Sequence, residues 1–326
     1  MSDTQEKTAS FLAQHCAAQI KGKVILTTGV SPSTLAAVFV RAIAKSQPAL
    51  LILAGRNMEK VQETAKALEA ENVKVRTLEL NLGSIKDVRV AAATVNGWAD
   101  VPYIDVLVNN AGVMAIDYGV SPEGNENHLA INHLGPFLFT NLIMAKVLAS
   151  ASPRVVTVSS DGHRLCPIRF DDVDFRKGET YNRWQAYGQS KTANMLMALS
   201  LADKLGTKGK LQAFSLTPGP WPVPSHLGDH IDWSVQLEEM LKVDRFFGNW
   251  QGWLKEFPMS TPDEGVAVYV VTAFDQNISA HNGTYFYDCR PANPGTETLK
   301  PWATSSVEAE RLWKLTENLV GQEFQY

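Results

Sequence analysis

The chain has 326 residues, of which 45% are hydrophobic and 20% charged, the proportions of a globular protein with ample core. Thirty Lys and Arg against 34 Asp and Glu leave a net charge of −4 and a pI near 6.0, so no basic field exists to attract nucleic acid or an anionic membrane. Three scattered cysteines, Cys16, Cys166 and Cys289, show no CxxC spacing; this argues against a disulfide framework or a zinc site and implies a reducing, cytoplasmic compartment and no metal.

Residues 1–19 carry Asp3 and Glu6 and lack a long apolar run, so neither a secretory signal nor a membrane span is expected there. Strand-like runs follow at 24–27, 50–54, 73–78, 104–108, 155–159 and 213–216, with helical patterns between most of them, including an apolar helix over 35–44. Residues 283–287 supply a last strand, and 307–324 carry helical spacing in Leu312, Leu315 and Leu319. Alternation of this kind predicts a single α/β domain over 1–326, a doubly wound, Rossmann-type parallel sheet with helices on both faces. No repeat or low-complexity linker divides it. Pro220, Pro222 and Pro224 punctuate an insert at 220–260 that turns helical and aromatic.

Chemistry concentrates at strand ends. The run 155–159 ends in Ser159-Ser160, the run 104–108 in Asn109-Asn110-Ala111-Gly112, and the first strand in Thr28-Gly29 ahead of a helix. A strand, loop and helix in that order present backbone N–H groups and a positive dipole end to a pyrophosphate. Tyr187-Gly188-Gln189-Ser190-Lys191 places a phenol and an ammonium four residues apart, on one helical face. A nearby cation stabilises a phenolate and pulls its pKa toward the working range.

Taken together and in order, Thr28-Gly29, Asn109 to Gly112, Asn132 within Ile131-Asn132-His133-Leu134-Gly135-Pro136-Phe137, Ser160, the Tyr187/Lys191 pair and Pro218-Gly219 resemble the short-chain dehydrogenase/reductase family. The resemblance runs from about residue 22 to the C-terminus. It is nearest the branch of retinol dehydrogenases and fungal secondary-metabolite reductases, and the long interval between Ser160 and Tyr187 is similar to the extended loop of that branch. The resemblance implies that Tyr187 donates a proton to a carbonyl oxygen, Ser160 positions that oxygen, Lys191 holds the coenzyme ribose and lowers the Tyr187 pKa, and Asn132 supports a water relay to Lys191. Each residue type suits its task. Ser159 faces the scaffold in this reading, and His128 and His133 are packing residues. Asp161, His163 and Arg164 are either substrate contacts or loop polarity.

The coenzyme loop departs from the family pattern of three glycines, for Thr28-Gly29-Val30-Ser31-Pro32-Ser33-Thr34-Leu35-Ala36 keeps only the first. A register one residue longer puts Thr34 on the second glycine place and Ala36 on the third; the other register puts Leu35 on a glycine place, which crowds the site. The first is preferred, with Ser31, Ser33 and Thr34 as hydroxyl donors and Leu35 opening the helix. After the second strand, Arg56 replaces the acid that would hold a ribose 2′-hydroxyl, which argues for NADP(H). Asn81 stands where the family has an aspartate near the adenine, with Leu82 packing behind it. Asn109, Ala111 and Gly112 are expected to line the adenosine side, and Pro218 and Gly219 the nicotinamide side.

Trp221, Trp233, Phe246, Phe247, Trp250 and Trp253 crowd the insert, which the family uses as a helical lid over the substrate. Lid packing, packing in a homo-oligomer and direct substrate contact are all open for them. The expected function is an NADPH-dependent carbonyl reductase or alcohol dehydrogenase acting on a hydrophobic or aromatic small molecule. A non-redox cyclase or isomerase on the same fold, or a nucleotide-binding interaction protein, is the alternative.

Overall fold

Strand β1 (Val24–Thr28) is buried along its whole length, as a β-branched and leucine run must be when helices cover both faces of a sheet. The computed structural model of the chain describes residues 7–249 and 258–326; Met1, Asp3, Glu6, Trp250 and Trp253 lie outside them. Beside β1 stand β2 (Leu50–Gly55), β3 (Val75–Glu79), β4 (Val106–Asn109), β5 (Arg154–Val158), β6 (Gln212–Leu216), β7 (Tyr285–Tyr287) and β8 (Arg290–Pro291). They form one sheet in the order β3-β2-β1-β4-β5-β6-β7-β8. All neighbours are parallel except β7 and β8, which form a hairpin. This is the doubly wound, Rossmann-type sheet that the alternation predicts.

Period-two alternation sends successive strand residues to opposite faces. Ile25, Leu51, Leu53, Val106, Val108, Val156 and Phe214 pack on one side with α1 (Leu35–Ala44) and α2 (Met58–Glu69). Leu26, Ile52, Leu107, Val155 and Ala213 pack on the other with α3 (Ile85–Gly97), α4 (Gly135–Leu142) and the C-terminal half of α5 (Arg183–Gly209), through Met197, Leu201 and Leu205. Each fully buried Val, Leu, Ile or Phe contributes about 1.5–3 kcal/mol of transfer free energy. Thr34, Asn57, Ser84 and Asn182 cap α1, α2, α3 and α5, accepting from the first-turn N–H groups.

After β6 the chain makes a short 3-10 turn at His226–Gly228 and then α6 (Trp233–Phe246), which packs on the start of α5 through Trp184 and Trp233, ring centres 5.9 Å apart. Helix α7 (Ala267–Phe274) returns to the α1 face, and α8 (Ser306–Val320) buries Leu312, Trp313 and Val320 against the α5 face. The β7–β8 hairpin was not anticipated. Its turn residues Asp288 and Cys289 both have positive φ, 47° and 62°, without the glycine that usually announces such a turn.

The carboxyl ends of the parallel strands are brought level by hydrogen bonds across the sheet. Gly29 N donates to Ala54 O at 2.8 Å, Leu80 N to Gly55 O at 3.0 Å, Ser159 N to Leu216 O at 2.8 Å and Thr217 N to Phe286 O at 3.1 Å. Every candidate loop therefore emerges on the same edge. No helix among the described residues is long and apolar enough to cross a membrane.

Candidate active site

Helix α5 starts at an Asn182 cap and carries Tyr187 and Lys191 one turn apart on its buried face. The Lys191 ammonium donates to the Val158 carbonyl at the end of β5, 3.1 Å away, and lies 5.6 Å from the centre of the Tyr187 ring. Ser160 stands two residues past β5; its hydroxyl accepts from Gly162 N at 2.9 Å, and Gly162 holds it beside the Tyr187 ring. Ser159 turns away, donating to the Lys191 carbonyl at 2.7 Å, so it serves the scaffold as expected.

Asn132 sits in a π-helical turn, Ala130–Leu134, between the short helix Asn127–Leu129 and α4. Such turns are uncommon and recur at functional sites. The widened turn points the Asn132 amide at Val113: Oδ1 accepts from Val113 N at 2.8 Å, while Nδ2 donates to Val113 O and to Ser190 Oγ, both at 2.9 Å. Gly112 is held close to this group, for a β-carbon there would lie 3.0 Å from Asn132 Oδ1 and 3.6 Å from Lys191 Nζ. Asn132, Gly112, Lys191, Tyr187 and Ser160 thus share one pocket.

Burial dominates the electrostatics. It pushes the Tyr187 phenol up to about 12, with the Ser160 hydrogen bond opposing it, and pulls Lys191 down to about 8. Desolvation is the larger influence on the phenol, which is raised rather than drawn down. His133, wholly buried against Thr316, is pulled down to about 3 and packs as a neutral ring.

On the coenzyme side, Thr28 Oγ1 accepts from Asn110 N at 3.0 Å and Ala111 N at 3.1 Å, so the ends of β1 and β4 are tied together. A β-carbon on Gly29 would meet Ala111 Cα at 2.8 Å, and its φ is +75°. The loop then differs from the register preferred on sequence. Ser33, exposed, is the residue in the left-handed region, φ +63°, whereas Thr34 is extended and caps α1. The Thr34 hydroxyl donates to Ser31 O at 2.8 Å and accepts from Ser31 N and Ala37 N at 3.3 Å. It is a loop staple. The position that glycine would suit is Ser33, one residue earlier. The N–H groups of Leu35 and Ala36 have no acceptor among the described residues.

Arg56 lies exposed just past β2, in front of the Asn57 cap of α2, with no ion pair among the described residues. Asn81 stands at the end of β3, but both ends of its amide are engaged, Nδ2 with Asp87 Oδ2 at 2.8 Å and Oδ1 with Gly83 N at 3.2 Å. Leu82 is buried in the core beneath it. Asn109 departs from expectation. Its side chain turns inward to Thr140 at 2.8 Å, while the neighbouring Asn110 bonds Thr28 O and Tyr269 instead. Pro218 and Gly219 close the far side at the end of β6, where Thr217 accepts from Asp161 N.

The described aromatic residues of the insert, Trp221, Trp233, Phe246 and Phe247, do not gather into one lining. Trp233 and Trp221 are each about half exposed, Phe246 is 77% exposed, and Phe247 packs on Trp302. The buried apolar joint beside Tyr187 is instead built from Ala115, Leu165, Trp184, Ile231, Met240 and Val243. His128, buried edge-on to the Tyr187 ring, bonds Glu126 at 2.8 Å and packs as expected. Asp161 and Arg164 pair with each other at 3.1 Å.

Comparison with known proteins agrees with this geometry. The model of the short chain dehydrogenase family matches residues 23–168. Human retinol dehydrogenase 11 is 32% identical over 306 residues, covering 93% of this chain and 87% of the relative. The short-chain dehydrogenase/reductase prx1 of Penicillium rubens is 33% identical over 307 residues, covering 91% and 84%. Among solved structures, an uncharacterised protein from Mycobacterium paratuberculosis superposes with a TM-score of 0.68 at 26% identity, covering 95% of this chain and 98% of that one. A short chain dehydrogenase from Escherichia coli CFT073 complexed with NADPH shares the fold, with a TM-score of 0.60 at 20% identity and coverage of 84% and 99%. With a nucleotide-type sheet, a Ser160-Tyr187-Lys191 cluster at its carboxyl edge and relatives matched along nine tenths of its length, the chain belongs to the short-chain dehydrogenase/reductase family of oxidoreductases, in its retinol dehydrogenase-like branch.

Proposed function

We propose that the protein is an NADPH-dependent carbonyl reductase or alcohol dehydrogenase acting on a hydrophobic or aromatic small molecule. The observation that carries the reading is the convergence of Asn132, Ser160, Tyr187 and Lys191 in one buried pocket beside a groove at the carboxyl edge of the sheet.

The groove fits a nicotinamide dinucleotide. Two unbonded N–H groups open α1, Gly29 and Gly112 leave room that a β-carbon would fill, and Ser31, Ser33 and Thr34 border the loop. The free guanidinium of Arg56 suits a ribose 2′-phosphate, since it is planar, permanently charged and without an acidic neighbour in sequence. Lys191 is placed to hold ribose hydroxyls, with Ala111, Gly112, Pro218 and Gly219 as backbone walls; the engaged amide of Asn81 and the buried Leu82 border the adenine end.

When bound, a reduced nicotinamide would supply a hydride, two electrons with one hydrogen, to the carbonyl carbon. The chain's own part is the proton. Tyr187, protonated at neutral pH and beside Ser160, gives its proton to the carbonyl oxygen, and Ser160 holds that oxygen in line with the phenol. The Lys191 ammonium stabilises the phenolate left behind, and Asn132, locked on Val113 and Ser190, fixes the wall through which water restores the proton.

The apolar joint of Ala115, Leu165 and Trp184 under α6 supports a hydrophobic substrate and a lid-like role for the insert at 220–260 within one domain. The human relative is named for retinol, an alcohol of that apolar class. Free cysteines at 16, 166 and 289 support a reducing, cytoplasmic setting. Titration with NADPH and NADH by tryptophan fluorescence, followed by turnover of an aromatic ketone, tests the reading. Binding of NADPH with stoichiometric coenzyme oxidation is expected; no binding of either coenzyme, or product without oxidation, overturns it.

A further inference from the structure

Arg164 and Asp244 form a two-pronged ion pair that the chemistry above does not use. Arg164 Nε donates to Asp244 Oδ1 at 2.8 Å and Nη2 to Oδ2 at 3.0 Å, and both side chains are at least 95% buried. Arg164 belongs to the 3-10 turn Asp161–Leu165 that follows Ser160, while Asp244 lies on the last turn of α6, eighty residues away. Asn249 braces the pair, its amide donating to Asp244 Oδ1 at 2.9 Å and to the Arg164 carbonyl at 3.1 Å. Asp161 at 3.1 Å and Thr298 Oγ1 at 3.1 Å share the remaining guanidinium edge, and Lys300 reaches the Phe247 carbonyl at 3.5 Å.

Burying two charges costs desolvation that their attraction roughly offsets, so such a pair is weak evidence for stability and is better read as fixing geometry. Here the geometry is that of the pocket. The Ser160 carbonyl accepts from His163 Nδ1 at 2.9 Å, one residue before Arg164. Helix α6 lays Met240 and Val243 against Leu165 and against Trp184, one turn ahead of Tyr187. Lifting α6 would leave a buried arginine without its fork.

We propose that the Arg164–Asp244 pair is a positioning clamp that holds α6 as a standing wall of the substrate pocket against the loop carrying Ser160, and thereby sets the size of substrate admitted. The inference rests on the reductase reading for its substrate, and on the fold alone for its mechanics. The test is amide hydrogen exchange of residues 233–246 in the full chain and in Asp244→Asn, with steady-state kinetics on a bulky aromatic ketone and on a small one. Asp244→Asn is expected to speed exchange in α6 at least tenfold while β1, β4 and β5 keep theirs. It should raise KM for the bulky ketone about tenfold and leave the small ketone and the NADPH Kd within about twofold. If Asp244→Asn does not fold, Arg164→Lys, which keeps the charge and loses the fork, should show the same α6-confined loosening. Unchanged α6 protection, or loss spread equally over the sheet, overturns the clamp. Absence of turnover with any ketone in the wild type would sink the reductase reading and leave the exchange result to decide the clamp.

Discussion

The Lys191 ammonium points past the Tyr187 ring, 5.6 Å from its centre, to the Val158 carbonyl at 3.1 Å, so one buried lysine joins the end of β5 to the phenol. Tyr187→Phe removes the phenol and nothing else from that arrangement. It should abolish ketone reduction while NADPH affinity stays within about twofold, whereas Lys191→Met should impair both turnover and coenzyme binding. Isothermal titration beside initial rates separates the two; equal behaviour of the variants would reject the assigned roles.

Lys191 also carries a stability signature. Its pKa falls from 10.5 in the unfolded chain to about 8 in the fold because burial disfavours the charged form. Between pH 8 and 10.5 the unfolded state binds more protons, so stability rises with pH through that window, and below pH 8 the full penalty remains, on the order of 3 kcal/mol. Lys191→Met should therefore raise Tm at pH 7, with the gain shrinking as pH approaches 10. A Tm that falls at pH 7 would show that the Val158 hydrogen bond outweighs the buried charge.

Arg56→Ala should weaken NADPH binding by about 1.5–3 kcal/mol, on the order of 10- to 100-fold, and barely change NADH, the worth of one charge-assisted contact. Fluorescence titrations with both coenzymes decide it. Equal losses would remove Arg56 from the 2′-phosphate site.

In the coenzyme loop, Ser33→Gly should stabilise the fold by up to about 1 kcal/mol, because relief of a left-handed non-glycine backbone exceeds the entropy that glycine adds to the unfolded chain. Thr34→Ala should cost about 1 kcal/mol through the lost cap and staple. Urea unfolding of both variants checks the pair; the opposite ranking would restore the longer register.

Asn132→Ala should destabilise by about 1–3 kcal/mol, since it leaves Val113 N–H and C=O and Ser190 without their partner. Asn132→Asp keeps the acceptor for Val113 N–H but loses both donations, and should fall between. Chemical denaturation with turnover on the same samples measures both.

The alternation of strands and helices and the order of the polar strand ends were legible in the chain itself, because apolar runs of strand length and helical spacing are local properties of a sequence. The four-residue spacing of Tyr187 and Lys191 placed them on one helical face for the same reason. What the tertiary structure alone decided is direction and environment. Asn109 and Asn110 are adjacent and alike, yet one turns to Thr140 and the other to Thr28 and Tyr269, because Asn109 ends β4 and Asn110 begins the loop after it. Thr34 and Ser33 exchange roles because backbone conformation, which no residue name displays, selects the left-handed position. The phenol is held up rather than drawn down because burial depends on everything packed around it. Asp244 finds Arg164 across eighty residues of chain, a pairing that no spacing rule contains and that only the closure of α6 over α5 creates.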